Sequence, residues 1–218
     1  MLLSKSDVGT YTYPTAGSAR PHALATLNAV DGSTTSFSYD AAGNLVSASN
    51  GKYRNVTYTS FNLPDSQTGI QGAPGGAYGG TAQYTWAYDE SHTRIKEVRT
   101  ITGGSMAGTR TLWYLHPDNA GALGFESEVN SPTTPTADNP AQTTNRHFLS
   151  VGGLSIGVLI TQGALPTLTA AQLPPTLSSL TIKRLEYWHK DHLGSLAATS
   201  DHTGQVTARY AYDPFGKR

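Results

Sequence analysis

Phe37-Ser38-Tyr39-Asp40-Ala41-Ala42-Gly43-Asn44-Leu45-Val46-Ser47-Ala48 is the stretch that decides the fold. Its aromatics alternate with small polar residues, which places the rings of Phe37 and Tyr39 on one face of a strand. Helical spacing would scatter them around a cylinder. Gly43 follows where a chain reversal needs a positive φ, and Asn44 to Ala48 then reads as a second short strand. The segment is a β-hairpin.

The pattern recurs. Trp86-Ala87-Tyr88-Asp89 and Tyr210-Ala211-Tyr212-Asp213 end in the same way, and Tyr11-Thr12-Tyr13-Pro14 has Pro in the Asp position. Gly17 and Gly216 follow Tyr13 and Tyr212 at the spacing that Gly43 keeps from Tyr39, while His92 stands in that place after Tyr88. Tyr84 extends the rings of Trp86 and Tyr88 into a longer row. A second line, H-x-D-x-x-G-x-L, occurs from His116 to Leu123 and again from His189 to Leu196, each behind an aromatic strand (Leu112 to Leu115, Leu185 to Trp188). A turn at Asn50-Gly51 and a strand from Asn55 to Thr59 continue the series. Periodicity of this kind implies a repeat architecture. The expected fold is all-β, an antiparallel ribbon of hairpins over residues 1–218. Loop insertions are expected near 68–80, 130–144 and 162–179, where Gly, Pro and Thr accumulate. Leu168 to Leu173 is compatible with one helical turn, and no amphipathic helix is expected elsewhere.

Composition narrows the function. The 218 residues carry 15 Lys plus Arg and 15 Asp plus Glu, a formal charge of zero, which argues against a basic nucleic-acid groove. With 23 Gly, 12 Pro and 12 Tyr against 2 Met, the chain is built for turns and strands. Cysteine is absent, which removes disulfides and thiolate metal sites. Met1 to Lys5 shows no apolar signal region. The longest apolar run, Leu154 to Ile160, is broken by Ser155 and Gly157 and is too short to span a bilayer.

Taken together, the Tyr-Asp-x-x-Gly copies, the Lys190-Asp191-His192-Leu193-Gly194-Ser195 line and the closing Tyr212-Asp213-Pro214-Phe215-Gly216-Lys217-Arg218 resemble the RHS/YD-repeat proteins, specifically the segment leading into their repeat-associated core. Ala19-Arg20-Pro21-His22-Ala23-Leu24 and Phe148-Leu149-Ser150-Val151-Gly152-Gly153 resemble lines of the same region. The resemblance covers most of the chain apart from the insertions. It implies a long β-ribbon wound into a hollow shell, commonly around a C-terminal toxin or effector and closed by a self-cleaving aspartyl core. It also implies a bacterial, exported or cell-surface setting, with the remainder of a longer polypeptide and its effector as partners. The sequence stops at Arg218, where family members continue to their cleavage point, so self-cleavage and toxicity are not carried over. The expectation is a structural wall segment with no cofactor and no metal site. Its repeat positions are Tyr13, Gly17, Tyr39, Asp40, Gly43, Tyr88, Asp89, Asp191, His192, Gly194, Tyr212, Asp213 and Gly216. A ribbon that begins and ends within repeat lines is also expected to leave edge strands open to association.

Gly153-Leu154-Ser155-Ile156-Gly157 matches a nucleophile elbow, but that motif needs a helix to follow, and Val158-Leu159-Ile160-Thr161 is a strand signal. His189, Asp191 and His192 are the densest potential metal ligands; on an extended strand His192 points away from the other two. Asp40, Asp89 and Asp213 suggest paired carboxylates, yet a residue recurring at every strand end suits a turn. No catalytic residue is expected. The aromatic rows support an alternative reading, a carbohydrate-binding or adhesive surface module that stacks sugar on its rings. Asn55-Val56-Thr57 is a glycosylation sequon by pattern only.

Overall fold

The computed structural model describes residues 1–49, 54–71, 81–116, 123–163 and 181–212. Every regular element among them is a strand: β1 (Ser4–Lys5), β2 (Gly9–Thr12), β3 (Thr26–Ala29), β4 (Thr34–Tyr39), β5 (Leu45–Ala48), β6 (Arg54–Tyr58), β7 (Pro64–Gln71), β8 (Thr81–Tyr88), β9 (Arg94–Thr102), β10 (Gly108–Leu115), β11 (Phe125–Pro132), β12 (Gln142–Val151), β13 (Leu154–Gln162), β14 (Thr181–Lys190), β15 (Leu196–Asp201) and β16 (Val206–Arg209). Strand order follows chain order, β1 to β5 in one sheet and β6 to β16 in the other. The fold is the all-β, antiparallel series of hairpins that the aromatic alternation predicts.

By internal contacts the chain divides into two units. Met1–Arg110 with Pro132–Asn139 form the first, and Thr111–Ser131 with Pro140–Arg218 the second. In the first, the period of two is visible in burial. On β8 the side chains of Tyr84, Trp86 and Tyr88 are half-covered while Gln83, Thr85 and Ala87 are exposed; on β4, Phe37 and Tyr39 alternate with exposed Ser36 and Ser38. The aromatic face is therefore the covered one.

Buried apolar side chains among the described residues are Ala48, Val56, Ala82 and Val158, none of them large. Polar side chains fill much of the interior instead. In the second unit Ser127, Asn145 and Thr161 stand in register across β11, β12 and β13. The Ser127 hydroxyl donates to Asn145 Oδ1 at 2.9 Å, and Asn145 Nδ2 donates to the Gly163 carbonyl at 3.1 Å. Asn145 is wholly buried with both ends of its amide satisfied.

The insertion expected at 130–144 is narrower than the composition suggested. Asn130 to Pro132 lie in β11 and Gln142 to Thr144 in β12. The residues between are tied down by polar groups: Thr133 N–H donates to the Ala107 carbonyl at 2.9 Å, and Asn139 is buried with its Nδ2 on the Ser105 carbonyl at 3.3 Å. Pro and Thr here mark a packed connection, because Asn and Thr side chains pair the backbone that Pro cannot. Likewise β7 continues to Gln71 and β13 includes Gln162. Residues 72–80 and 164–180, with the expected helical turn at Leu168 to Leu173, lie outside the described residues, as does Asn50-Gly51.

Candidate functional site

The element with the most organised chemistry is the turn after each aromatic strand. At Asp40 the backbone N–H donates to the Asn44 carbonyl at 2.9 Å, and Gly43 N–H donates back to the Asp40 carbonyl at 3.1 Å. Gly43 has φ 90. The carboxylate closes the loop from inside: Oδ1 accepts Asn44 N–H at 2.8 Å and Oδ2 accepts Asn44 Nδ2 at 3.0 Å. This is an Asx-type cap on a tight hairpin.

The same frame recurs with different residues. At Asp89, Oδ1 accepts Ser91 and Thr93 N–H at 2.9 and 2.8 Å. His92, in the Gly position, adopts φ 62, so the copy that looks degenerate in sequence is intact in backbone. At Asp191, Oδ1 accepts Leu193 N–H and Ser195 N–H, each at 2.9 Å, and Gly194 has φ 85. The H-x-D-x-x-G-x-L line is therefore the Tyr-Asp turn with Lys190 in the Tyr place. Two copies escaped the sequence reading. Asp201 caps Thr203 and Gln205 with Gly204 at φ 84. Thr59 caps Leu63 through its Oγ1 at 3.1 Å, with Asn62 at φ 61. A search for D-x-x-G alone finds the first; the second needs Thr to be read as Asp and Asn as Gly, both of which the mechanism allows.

A register shift immediately precedes these turns, at Ser38/Tyr39, Thr57/Tyr58, Ala87/Tyr88, His189/Lys190 and Thr199/Ser200. In each the extra residue lies on the strand after the turn (Val46, Asp65, Ile95, Ala197 and Thr207), so that strand bends while the strand before the turn keeps its alternation. The tyrosines at three of these joints donate their hydroxyls to backbone carbonyls earlier in the chain: Tyr39 to Leu24 at 2.9 Å, Tyr58 to Leu45 at 2.6 Å and Tyr88 to Pro64 at 2.7 Å. Tyr212 does the same to Leu196 at 3.0 Å. Leu45, Pro64 and Leu196 each open the strand after a preceding capped turn. Each latch thus ties one hairpin to the last. Tyr13 also latches, to the Leu2 carbonyl at 3.0 Å, but its turn differs. Pro14 has no N–H to close the frame, and Gly17 at φ 87 sits in a Thr15–Ser18 turn instead. Asp213, Gly216 and the Pro117 to Ala122 part of the other H-x-D line lie outside the described residues.

The remaining candidates do not converge on a reaction centre. Gly152 and Gly153, at φ 58 and 80, form the β12–β13 hairpin, and Ser155 pairs with Ser150 in the strand that follows. The helix that an elbow requires is replaced by β13. His189 Nε2 meets Ser200 Oγ at 2.7 Å, Asp191 is occupied by its turn, and His192 is exposed at the tip. Trp86 Nε1 donates to Glu97 Oε2 at 2.8 Å, with Tyr84 stacked on one side at 5.8 Å and the Arg94 guanidinium 5.4 Å from its ring centre. The polar edge of Trp86 is thus engaged within the sheet.

Hydrogen bonds from the capped groups hold the Asp40 carboxyl below its ordinary value, first through the Asn44 side chain and then its N–H. Asp201 is lowered in the same way by the hydroxyl and N–H of Thr203. A depressed folded-state pKa gives stability that is complete above the ordinary carboxylate value, about 4, and is lost as pH falls through the folded-state values. Melting temperature is therefore expected to hold from neutral pH to about 5 and to fall steeply below about 4. The Asp40→Asn/Asp201→Asn variant should melt lower at pH 7 and show a shallower acid decline by calorimetry. An unchanged acid slope would refute the cap as its source.

Residues 23–54 match the family model for the RHS repeat. This span contains the Asp40 turn, its bulge and the Tyr39 latch. No curated protein matches the chain. Among solved structures the chain is similar to the TcdB2-TccC3-TEV protein, at 15% identity and a TM-score of 0.50. It is likewise similar to a Tc holotoxin pore of Photorhabdus luminescens with mutated TccC3, at 15% identity and a TM-score of 0.53. Each alignment covers 95% of this chain and 10% of the solved chain, so the chain spans about a tenth of the length of the proteins it matches. At this identity the likeness is one of fold.

Proposed function

We propose that this chain is a structural, non-catalytic stretch of shell wall: β-ribbon that surrounds a C-terminal effector within a longer, exported bacterial polypeptide. The observation that carries the reading is the repetition of one device, an Asp- or Thr-capped turn followed by a bulge, with the preceding tyrosine latched to an earlier line. A catalyst needs unlike groups gathered at one place, whereas a wall needs the same joint many times. The RHS-repeat match and the fold of the Tc proteins support this role, and the effector and the export setting follow from it as parts of the proposal.

These 218 residues contain no cysteine, and for the test any cysteine elsewhere in the longer polypeptide is replaced by serine. In the polypeptide as its gene encodes it, Thr85→Cys places a thiol on the exposed face of β8, and Ile101→Cys, whose β-partner is Ala82, places one on the aromatic face. If the ribbon is a wall, one of the two sites reacts with a small maleimide but is protected from a maleimide bearing a long polymer. The other reacts with both. Equal reaction of both sites with both reagents would overturn the enclosure reading.

A further inference from the structure

A small pocket lies in the first unit, between the segment that follows β2 and the aromatic face of β4. Its volume is about 140 Å³, and its walls are Pro14, Leu24, Phe37, Tyr39 and small alanines, with Arg20 at the side. The walls are held in place by backbone bonds. Phe37 N–H donates to the Ala25 carbonyl at 2.9 Å, Ala25 N–H to the Thr12 carbonyl at 2.8 Å, and the Tyr39 hydroxyl to the Leu24 carbonyl at 2.9 Å. An enclosed cavity of about 150 Å³ accommodates a benzene ring; this pocket is open to solvent on one side and has comparable room for a phenyl or isobutyl group.

Arg20 is an exposed residue on the pocket wall with an unusual backbone. Its φ is 62, a left-handed conformation that glycine adopts without strain and arginine does not. Its guanidinium has no acceptor among the described residues, and the Asp40 carboxylate, next in sequence to Tyr39, is committed to Asn44 through both oxygens. Arg20 lines this open pocket and is itself exposed, and an arginine there offers a fork of donors suited to a carboxylate. From this combination we infer that the pocket binds a carboxylate whose neighbouring carbon chain carries one phenyl- or isobutyl-sized group. The apolar group fills the cavity and Arg20 pairs the acid. The chemistry is that of a polypeptide ending in Leu or Phe, and equally of a free arylalkanoic acid. The inference is independent of the shell reading.

The test is a titration of the full 218-residue chain, followed through the amide resonances of Ala23, Ala25 and Phe37. The probes are 3-phenylpropionate, 3-phenylpropanamide, and the tripeptide Ala-Ala-Leu with a free or an amidated C-terminus. The acids are expected to bind a few-fold more tightly than the amides, the scale of one solvent-exposed ion pair. The tighter of the two acids identifies a chain terminus or a free acid as the fitting source. Arg20→Gln should erase the preference for acid over amide. Arg20→Gly should erase it too while raising the melting temperature, because glycine relieves the backbone; a purely structural arginine would not separate the two effects in this way. Equal binding of acid and amide, shifts confined to other residues, or an acid preference that survives Arg20→Gln would overturn the assignment. Should Arg20→Gln fold poorly, the acid–amide comparison on the unaltered chain still decides.

Discussion

Gly157→Val is expected to destabilise the second unit by about 3 kcal/mol, at the upper end of what overpacking costs, while Ser155→Ala two residues earlier changes stability by no more than about 0.5 kcal/mol. Gly157 lies in β13 opposite Tyr187 of β14, and a Cβ built on it would run into the Glu186 carbonyl oxygen and crowd the Tyr187 Cα at 3.3 Å. The obstacle is backbone, so no rotamer change relieves it, and the two strands must part. Gly153 gives the contrast: its φ is 80 but a Cβ there would meet nothing within 4 Å. Gly153→Ala therefore carries only the conformational cost of a left-handed residue, about 1 kcal/mol. Urea unfolding of the three variants measures the order directly. An elbow would invert it functionally, with Ser155 indispensable and labelled by a fluorophosphonate. Such labelling, lost in Ser155→Ala, would refute the strand reading.

The two glycines of Gly153-x-Ser155-x-Gly157 thus have different physical reasons, one a turn and one a close approach, a distinction that the reading of this stretch as strand did not draw. The alternation of Phe37 and Tyr39, and of Tyr84, Trp86 and Tyr88, was enough to read the strands and their covered face, because side-chain direction in a strand depends on nothing beyond parity. The Asp40, Asp89 and Asp191 turns were also legible. Their unity was not, because tyrosine is the conspicuous letter and the cap is the conserved physics. Lys190 and Ser200 stand where tyrosine does elsewhere, yet their turns close in the same way. At Thr59 even the acid is gone, and a hydroxyl performs the capping. The insertion near 130–144 was overestimated for the opposite reason. Composition registers Pro and Thr, but the pairing of Asn139 with Ser105 is a long-range contact that no local pattern encodes.

Position on the strand explains tyrosine where it does occur. Residue 88 stays on the covered row of Trp86, at the strand end beside the turn. From there a side chain of that length ending in a donor reaches the Pro64 carbonyl, while the extra residue of the joint, Ile95, is taken up by β9. A shorter or purely apolar residue would leave that carbonyl without this partner. The latch joins sequence-distant hairpins at a point where the ladder itself is irregular, which is where a repeat ribbon is weakest.

Tyr88→Ala is accordingly expected to cost the first unit about 3 kcal/mol and Tyr88→Phe about 1 kcal/mol. The difference between the variants separates ring from hydroxyl. The Tyr88 ring meets Phe61 edge to face at 5.8 Å, and Phe61 stacks on His92 at 4.1 Å, so truncation releases both neighbours. Phenylalanine keeps that stack and loses only the bond to Pro64, the scale of one partly buried neutral hydrogen bond. Tyr212→Phe should cost less than Tyr88→Phe, because Tyr212 is 39% exposed and water replaces its bond to Leu196. Base titration gives an independent check. Burial raises the phenol of Tyr39, and a nearby Tyr13 adds to it; burial likewise raises Tyr58, with Asp40 adding to it. An acid whose folded-state pKa is raised contributes stability that is complete below its ordinary value, about 10, and is lost as pH rises through the folded-state value. Alkaline unfolding monitored by tyrosinate absorbance should therefore begin above about pH 10, and Tyr39→Phe/Tyr58→Phe should flatten it while lowering stability at pH 7. Equal destabilisation by Tyr88→Phe and Tyr88→Ala would place the whole effect in the hydroxyl, and no loss in Tyr88→Phe would remove the latch from the account of how successive hairpins are held.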